Sequence, residues 1–266
     1  MRIISVINQK GGVGKTTTTA NLAHALALAG NKVTVIDLDP QSHLASSLGV
    51  NGREYAGMDE VLLEDAPITD SVIKVRENLH LVPAGADLGQ IEHLTDGGSK
   101  KGARLKQALT GNLLDQDYIL IDCPPASGLL AVNALLASNE VLIPVTGDYL
   151  SLEGLSFLMA TIKNFEQKLG HKLKERIVLT RFHTRRRLPK EILAKIMEYF
   201  PDKIFATHIR EAAALAECPG QGKTIFEYRS TNNGAIDYKA LAEDLMFDRT
   251  LSPEPVPILD GEINDW

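Results

Sequence analysis

Cysteine is almost missing from this chain. Cys123 and Cys218 are the only two in 266 residues, too few for a disulfide framework and in keeping with a reducing compartment. Long apolar runs are missing too. No stretch approaches the roughly 18–20 consecutive apolar residues of a membrane span. The N-terminal run Ile3 to Ile7 stops at Asn8-Gln9-Lys10, short of the ~7–15 apolar residues of a secretory leader. There is no excess of positive charge: 28 Lys and Arg against 34 Asp and Glu leave −6. That excludes a uniformly basic nucleic-acid binder, though not a local basic face. The seven histidines form no H-E-x-x-H and no i,i+4 pair, so nothing in their spacing reads as zinc. G-x-S-x-G is absent, and with it the nucleophile elbow of a hydrolase. Cys123, beside Asp122 at the end of an apolar run, reads as a small core residue rather than a nucleophile.

What remains is ordinary globular material, with 44% hydrophobic and 23% charged residues, enough to bury a full core. Short β-branched runs alternate with longer helix-like stretches. Arg2 to Ile7 reads as a buried strand, Lys15 to Ala29 as a helix stopped by Gly30-Asn31, and Val33 to Ile36 as a second strand. Together they make a βαβ unit, which requires parallel pairing. Further strands are expected at Leu79–Val82, Tyr118–Ile121, Val141–Val145, Ile177–Thr180 and Ile204–Thr207. Helices are expected at Gly102–Leu109, Leu129–Ala137, Leu152–Leu169, Pro189–Tyr199 and Gly234–Met246. The strands are nearly continuous in hydrophobicity, so both sheet faces must be covered. The fold class is therefore α/β: a single doubly wound, mostly parallel sheet flanked by helices, over residues 1–250. Residues 251–266 form an acidic, proline-containing tail that is expected to be mobile.

The strongest signal lies between the first strand and the first helix. In Lys10-Gly11-Gly12-Val13-Gly14-Lys15-Thr16-Thr17 the glycines let backbone N–H groups wrap inward onto phosphate oxygens. The helix adds its positive N-terminal end. Lys15 reaches the β- and γ-phosphates, and the Thr16 hydroxyl can ligate Mg²⁺. A dinucleotide fingerprint competes, because Gly12-Val13-Gly14 opens a helix and Asp37 follows some twenty residues on. That fingerprint wants a small residue where Thr17 stands, and it has no use for Lys15-Thr16. The plain P-loop would in turn need glycine where this chain has Gln9.

The extra lysine, Lys10, settles which kind of loop this resembles. Lys10 to Thr17 is similar to the deviant Walker A loop of the ParA/MinD ATPases. Val35-Ile36-Asp37-Leu38-Asp39-Pro40-Gln41 resembles the next block of the ParA (Soj) branch, and Tyr118 to Pro125 resembles its Walker B segment. Glu217-Cys218-Pro219-Gly220-Gln221-Gly222-Lys223 resembles the late E-A-P-S-x-G-K segment. The resemblance implies ATP and Mg²⁺ as cofactors. Lys10, Gly11, Gly12, Val13, Gly14, Lys15, Thr16 and Thr17 would hold the nucleotide. Thr16, Asp39 and Asp122 would serve the metal, and Asp39, Lys10 and Lys15 would act in catalysis. Asp39 matches the acid that positions the attacking water, with Asp37 as a second candidate or an anchor for the loop. Lys10 would reach across a two-fold axis to the partner's phosphates, making an ATP-sandwich homodimer. Where the family reads I-P-R-N-V-R-L, this chain reads Ile209 to Leu215, with Arg210 and Ala212 in place of the Pro and Asn of the adenine pocket. Base recognition would have to be rebuilt, with Arg210 in it. Ala214 replaces an arginine implicated in DNA contact.

Three functions follow from the resemblance. One is a ParA-type positioning ATPase, slow and stimulated by a ParB-like or other adaptor, which moves a plasmid, chromosome or protein assembly over non-specific DNA. The second is a MinD-like membrane-cycling ATPase, and the third a metabolic P-loop enzyme. The tail carries four acids, three prolines and no Lys or Arg, the opposite of a basic amphipathic membrane anchor, so no membrane partner is expected. A metabolic enzyme would not need Lys10. The expected location is the cytoplasm, nucleoid-associated in the ATP state. From Lys163 to Lys190 there are ten Lys and Arg against two Glu, a local charge of +8. Arg181, Arg185, Arg186 and Arg187 are its candidate contacts to duplex DNA.

Overall fold

The computed structural model describes residues 1–93, 101–113, 115–125 and 128–251. Of the expected tail only Leu251 falls within them, so its mobility lies outside the described residues. Seven strands form one sheet in the order β3-β4-β2-β5-β1-β6-β7. They are β1 Arg2–Val6, β2 Val33–Asp37, β3 Ile73–Arg76, β4 Leu79–Val82, β5 Tyr118–Asp122, β6 Glu140–Thr146 and β7 Lys174–Thr180. Every neighbouring pair is parallel except β3 with β4. Parallel neighbours need crossovers, and helices supply most of them: α1 Lys15–Leu28, α2 His43–Ser47, α3 Met58–Leu63, α4 Arg104–Leu109, α5 Leu129–Ala137, α6 Tyr149–Leu169 and α7 Arg187–Tyr199. The chain closes with α8 Ala213–Glu217, α9 Ile225–Tyr228 and α10 Asn233–Phe247.

Side chains alternate across each strand, and both faces are apolar. Ile119 and Ile121 of β5 join one core with residues of α3 to α7. Tyr118 and Leu120 join the other, with α1, α2 and α10. Burial of each such aliphatic side chain stabilises the fold by roughly 1.5–3 kcal/mol. The α1 helix is lined with Thr and Ala, buried from Thr18 to Ala27. Small residues there let it lie close to both the sheet and α10. Gly30, at φ 91, ends it.

Two elements differ from the sequence reading. Ile204–Thr207 is not a strand. It makes only single bridges, Ile204 to Ile177 and Phe205 to Thr250. β3 has no counterpart among the expected strands. It is an edge strand, bulged against β4 and only partly buried.

The strand order positions the site. β1 lies between β5 and β6, and in register Val6 faces Asp122, which faces Asp37. The loop after β1 and two carboxylates thus meet at the carboxyl ends of adjacent strands, where open α/β sheets bind ligands.

Candidate nucleotide site

The loop between β1 and α1 has its shape fixed from three sides. Gly12 (φ 73) and Gly14 (φ 89) occupy the left-handed region, where a Cβ would be strained. Val13 is fully buried, and its carbonyl accepts from the Thr180 hydroxyl at 2.8 Å. Asn8 Nδ2 donates to the Pro144 carbonyl at 2.7 Å, and Asn8 Oδ1 accepts from the Lys10 N–H at 3.0 Å. Asn8 and Thr180 are supports that the sequence did not announce. Each lies at a strand end, which is the one sign it gave.

Asp122 is completely buried. Thr19 Oγ1 donates to its Oδ1 at 3.4 Å, while its Oδ2 has no hydrogen-bond partner among the described residues. Burial pushes its carboxyl well above the usual range, with the Asp39 charge adding to this. The Thr16 hydroxyl and the Lys15 charge pull the other way. Asp37, next to it across β2 and β5, is raised by its own burial and then by Asp122. Two buried carboxylates with one orphaned oxygen, facing a threonine hydroxyl, form a set of hard oxygen donors. That set fits Mg²⁺. Thr16 and Asp122 would hold the ion, directly or through its water shell, and the ion would neutralise charge on the β- and γ-phosphates.

Asp37 turns out to anchor the loop. Its two oxygens accept the N–H groups of Asp39 at 3.1 Å and Ala45 at 3.3 Å. Asp39 itself is half-exposed, and its Oδ1 accepts from the Gln41 N–H at 3.0 Å. It sits close enough to Asp122 to act on its charge, beside the phosphate loop and open to water.

Lys10 faces away from its own loop. Its Nζ donates to both oxygens of Asp148, at 2.8 and 2.9 Å, and to Ser151 Oγ at 3.1 Å. Burial works against ionisation of Asp148, but hydrogen bonds from Lys10, Thr146 and Ser151 outweigh it and bring the carboxyl down to about 2. Asp148 also caps α6, accepting from the Ser151 N–H at 3.0 Å. The helix thus begins at Tyr149, three residues ahead of the expected Leu152, and the pairing of its cap with Lys10 spans 138 residues.

Two cavities meet at the loop. One, of ≈ 480 Å³, lies behind Gly12 and Gly14 and is walled by Arg181, Arg210, Ala212 and Tyr238. The other, of ≈ 450 Å³, opens in front and is lined by Lys10, Asp148, Arg181, His183 and Arg186. Arg210 is pinned by Asp237, with Nη2 to Oδ1 at 2.6 Å and its own N–H to Oδ2 at 2.9 Å. Arg181 donates to Glu211 from Nε at 3.2 Å and Nη2 at 3.0 Å. Arg185 and Arg186 are exposed between β7 and α7, while Arg187 opens α7 and pairs with Glu191 at 2.6 Å. Part of the +8 stretch is offset by acids from outside it: Asp248 pairs with both Lys174 and Arg176, Glu211 with Arg181 and Glu191 with Arg187. Cys123 is fully buried, and burial pushes its thiol far up. Among the described residues no group of three or more His, Cys, Asp and Glu could hold a metal ion, and no helix is long and apolar enough to cross a membrane.

Known proteins resemble this chain in sequence and in fold. Residues 1–175 match the family described as AAA domain. The sporulation initiation inhibitor protein Soj of Bacillus subtilis is 39% identical over 92% of this chain and 98% of its own length. The chromosome partitioning protein ParA of Myxococcus xanthus is 40% identical over 92% of this chain and 88% of its own. Among solved structures, cobyrinic acid a,c-diamide synthase from Mycobacterium smegmatis, with bound ADP and magnesium, superposes with a TM-score of 0.80. It is 29% identical and covers 95% of this chain and 100% of its own. These likenesses are consistent with ATP and Mg²⁺ as cofactors and support nucleotide hydrolysis as the general chemistry. With its phosphate loop, paired strand-end acids and relatives matched over nearly their whole length, the chain belongs to the Soj/ParA family of P-loop ATPases.

Proposed function

We propose that this protein is a ParA-like positioning ATPase. It binds ATP with Mg²⁺, closes into a homodimer with both nucleotides between the subunits, and holds duplex DNA without regard to sequence. It hydrolyses ATP slowly until a ParB-like or other adaptor accelerates it, and so segregates or positions a cargo on the nucleoid. The observation that carries this reading is Lys10. It belongs to the phosphate loop yet makes its bonds outside it, to Asp148 and Ser151, while Lys15 opens α1 at the loop itself. A partly exposed pair of this kind contributes about 0–1 kcal/mol, so a partner's triphosphate, with more charge, can displace Asp148. The exposed apolar side chains of Tyr149, Leu150 and Leu188 flank the same mouth and suit a surface that closes against a second copy.

Lys10→Ala is expected to bind ATP but remain monomeric with a slowly hydrolysed ATP analogue, as measured by light scattering. A normal dimer would return Lys10 to the role of a solvated loop residue. Three relatives at 39–40% identity carry chromosome-partitioning names, which favours this reading over the metabolic one that the synthase likeness suggests.

For DNA, the exposed Arg185 and Arg186 with Arg187 at the start of α7 offer a short basic ridge at the carboxyl edge of the sheet. Two such ridges on one dimer would bind bivalently, and a monomer weakly. Changing all three to Ala should remove ATP-dependent duplex binding while sparing dimerisation. Each single Arg→Ala change should lower the slope of log affinity against log salt by about 0.9 for the phosphate no longer neutralised. Wild-type binding by the triple variant would move the DNA surface elsewhere.

A further inference from the structure

We propose that Arg76, on the edge strand β3, is a positioning residue for hydrolysis: it clasps α2, and through it the turn that carries Asp39, to the late segment 217–223. The inference rests on the water-orienting role that the family resemblance implies for Asp39, and concerns what holds that residue in place. The Asp39 turn leads straight into α2, whose five residues are too few to sustain a helix alone. No side chain caps it. Ser42, at its start, lies at φ 56, and its hydroxyl is buried without a partner among the described residues. Leu44, Ala45 and Leu48 sink into the core, but apolar contact is non-directional. It fixes how deep the helix lies, not where it stops along its axis. Directional bonds do that at the two ends. At the near end Asp37 Oδ2 accepts from the Ala45 N–H at 3.3 Å. At the far end Arg76 Nη1 donates to the Leu48 carbonyl at 3.1 Å.

The Arg76 side chain is only 12% exposed, and its fork gathers three distant stretches of chain. Besides Leu48, Nε and Nη2 grip the two oxygens of Glu227 at 3.0 and 2.8 Å, and Nη2 also donates to the Gly222 carbonyl at 3.2 Å. Glu227 is held in turn. Its Oε2 accepts from the Thr224 N–H at 2.9 Å, and Thr224 Oγ1 lies 2.6 Å from Nδ1 of His24, buried on α1. Burial works against ionisation of Glu227, but the Arg76 fork and the Thr224 N–H outweigh it and hold its carboxyl below the usual range. The backbones meet as well: a Cβ on Gly49 would come within 2.9 Å of the Gly222 carbonyl oxygen. The residue after Leu48 therefore lies directly against the late segment. A planar fork with donors in fixed directions suits such a clasp, and a lysine's point charge does not. The acceptors of Arg76 include no residue of the phosphate loop and neither Asp37 nor Asp39. What it contributes to turnover passes through α2.

The test is single-turnover ATP hydrolysis by the full chain with Mg²⁺, beside calorimetric titration with a non-hydrolysable ATP analogue. Arg76→Met is expected to slow hydrolysis roughly 10- to 100-fold, as a small misplacement of reacting groups does, with analogue affinity within about threefold of the parent. Retained affinity also reports a folded chain. Glu227→Gln, which keeps the size of the side chain and only weakens its grip on the fork, should show the same split. Arg76→Lys should recover little of the rate, since it returns the charge but not the fork. In an Asp39→Ala background, Arg76→Met should change the rate by less than about twofold, because residues acting through one another are not additive. A parental rate in both variants would overturn the inference. So would affinity lost in step with rate in both, full recovery with lysine, or an equal fall in the Asp39→Ala background. Parental turnover by Asp39→Ala alone would remove the reading beneath the inference, and it is seen without any change at Arg76.

Discussion

Lys15→Ala is expected to abolish measurable ATP binding, raising Kd by about 10² or more. The lysine is the first residue of α1 and, in the function proposed above, the cation that meets the β- and γ-phosphates in its own subunit. A charge-assisted hydrogen bond to a buried anion contributes roughly 1.5–3 kcal/mol, and the phosphate left unpaired costs more. Lys15 also acts on Asp122, drawing its carboxyl back down against burial, so its loss would leave the paired acids harder to ionise. Arginine should not substitute, because its planar fork is not a compact point charge and the glycine cradle is shaped around the latter. Titration calorimetry decides it; undiminished affinity in the alanine variant would sink the phosphate-loop assignment.

Asp39→Ala is expected to do the reverse: ATP affinity within about threefold of the parent, and turnover slowed by roughly 10²–10⁴. The carboxylate is half-exposed beside the loop, on a segment that Asp37 ties down through the Asp39 and Ala45 N–H groups. Phosphoryl transfer depends on positioning more than on covalent chemistry, so removing one carboxylate that orients water should stall the step without disturbing binding. The variant should then accumulate as an ATP-bound dimer. Phosphate release and light scattering on the same sample report both halves. Parental turnover would transfer the role to another residue, with Asp37 excluded by its burial and its two backbone bonds.

The parts of the site that the sequence disclosed are those built from neighbours in the chain. The glycine loop, Lys15, Thr16 and the acids ending β2 and β5 each lie on a short segment whose apolar run announces the strand. What it hid was made across distance. The partner of Lys10 lies 138 residues away, that of Arg210 lies 27 away, and that of Arg181 lies 30 away. The +8 stretch looked like a uniform basic face because Asp248, its main counter-ion, belongs to the end of α10. β3 escapes a reading by pattern because Ile73-Lys74-Val75-Arg76 is an edge strand, mixed and half-exposed. Ile204–Thr207 reads as more than it is because an apolar tetrapeptide suffices for a strand only when a neighbour runs alongside it for more than one residue.

The central place of β1 has a consequence for the newly made chain. Its neighbours β5 and β6 end at Asp122 and Thr146, and the hydroxyl gripping Val13 comes from Thr180. A strand emerging from the ribosome at residue 2 must therefore wait until its flanks, more than a hundred residues behind, have been translated. At ~5–20 residues per second that is a delay of many seconds. During that wait β1 lacks both strand neighbours, while α1 can already pack against β2 and α2. Nucleotide is not expected to protect such a fragment, because the Thr180 hydroxyl that holds the loop at Val13 is not yet present. A ribosome-stalled chain ending near residue 130 should thus be protease-sensitive with or without ATP, whereas one extended beyond residue 220 should gain protection when ATP is added.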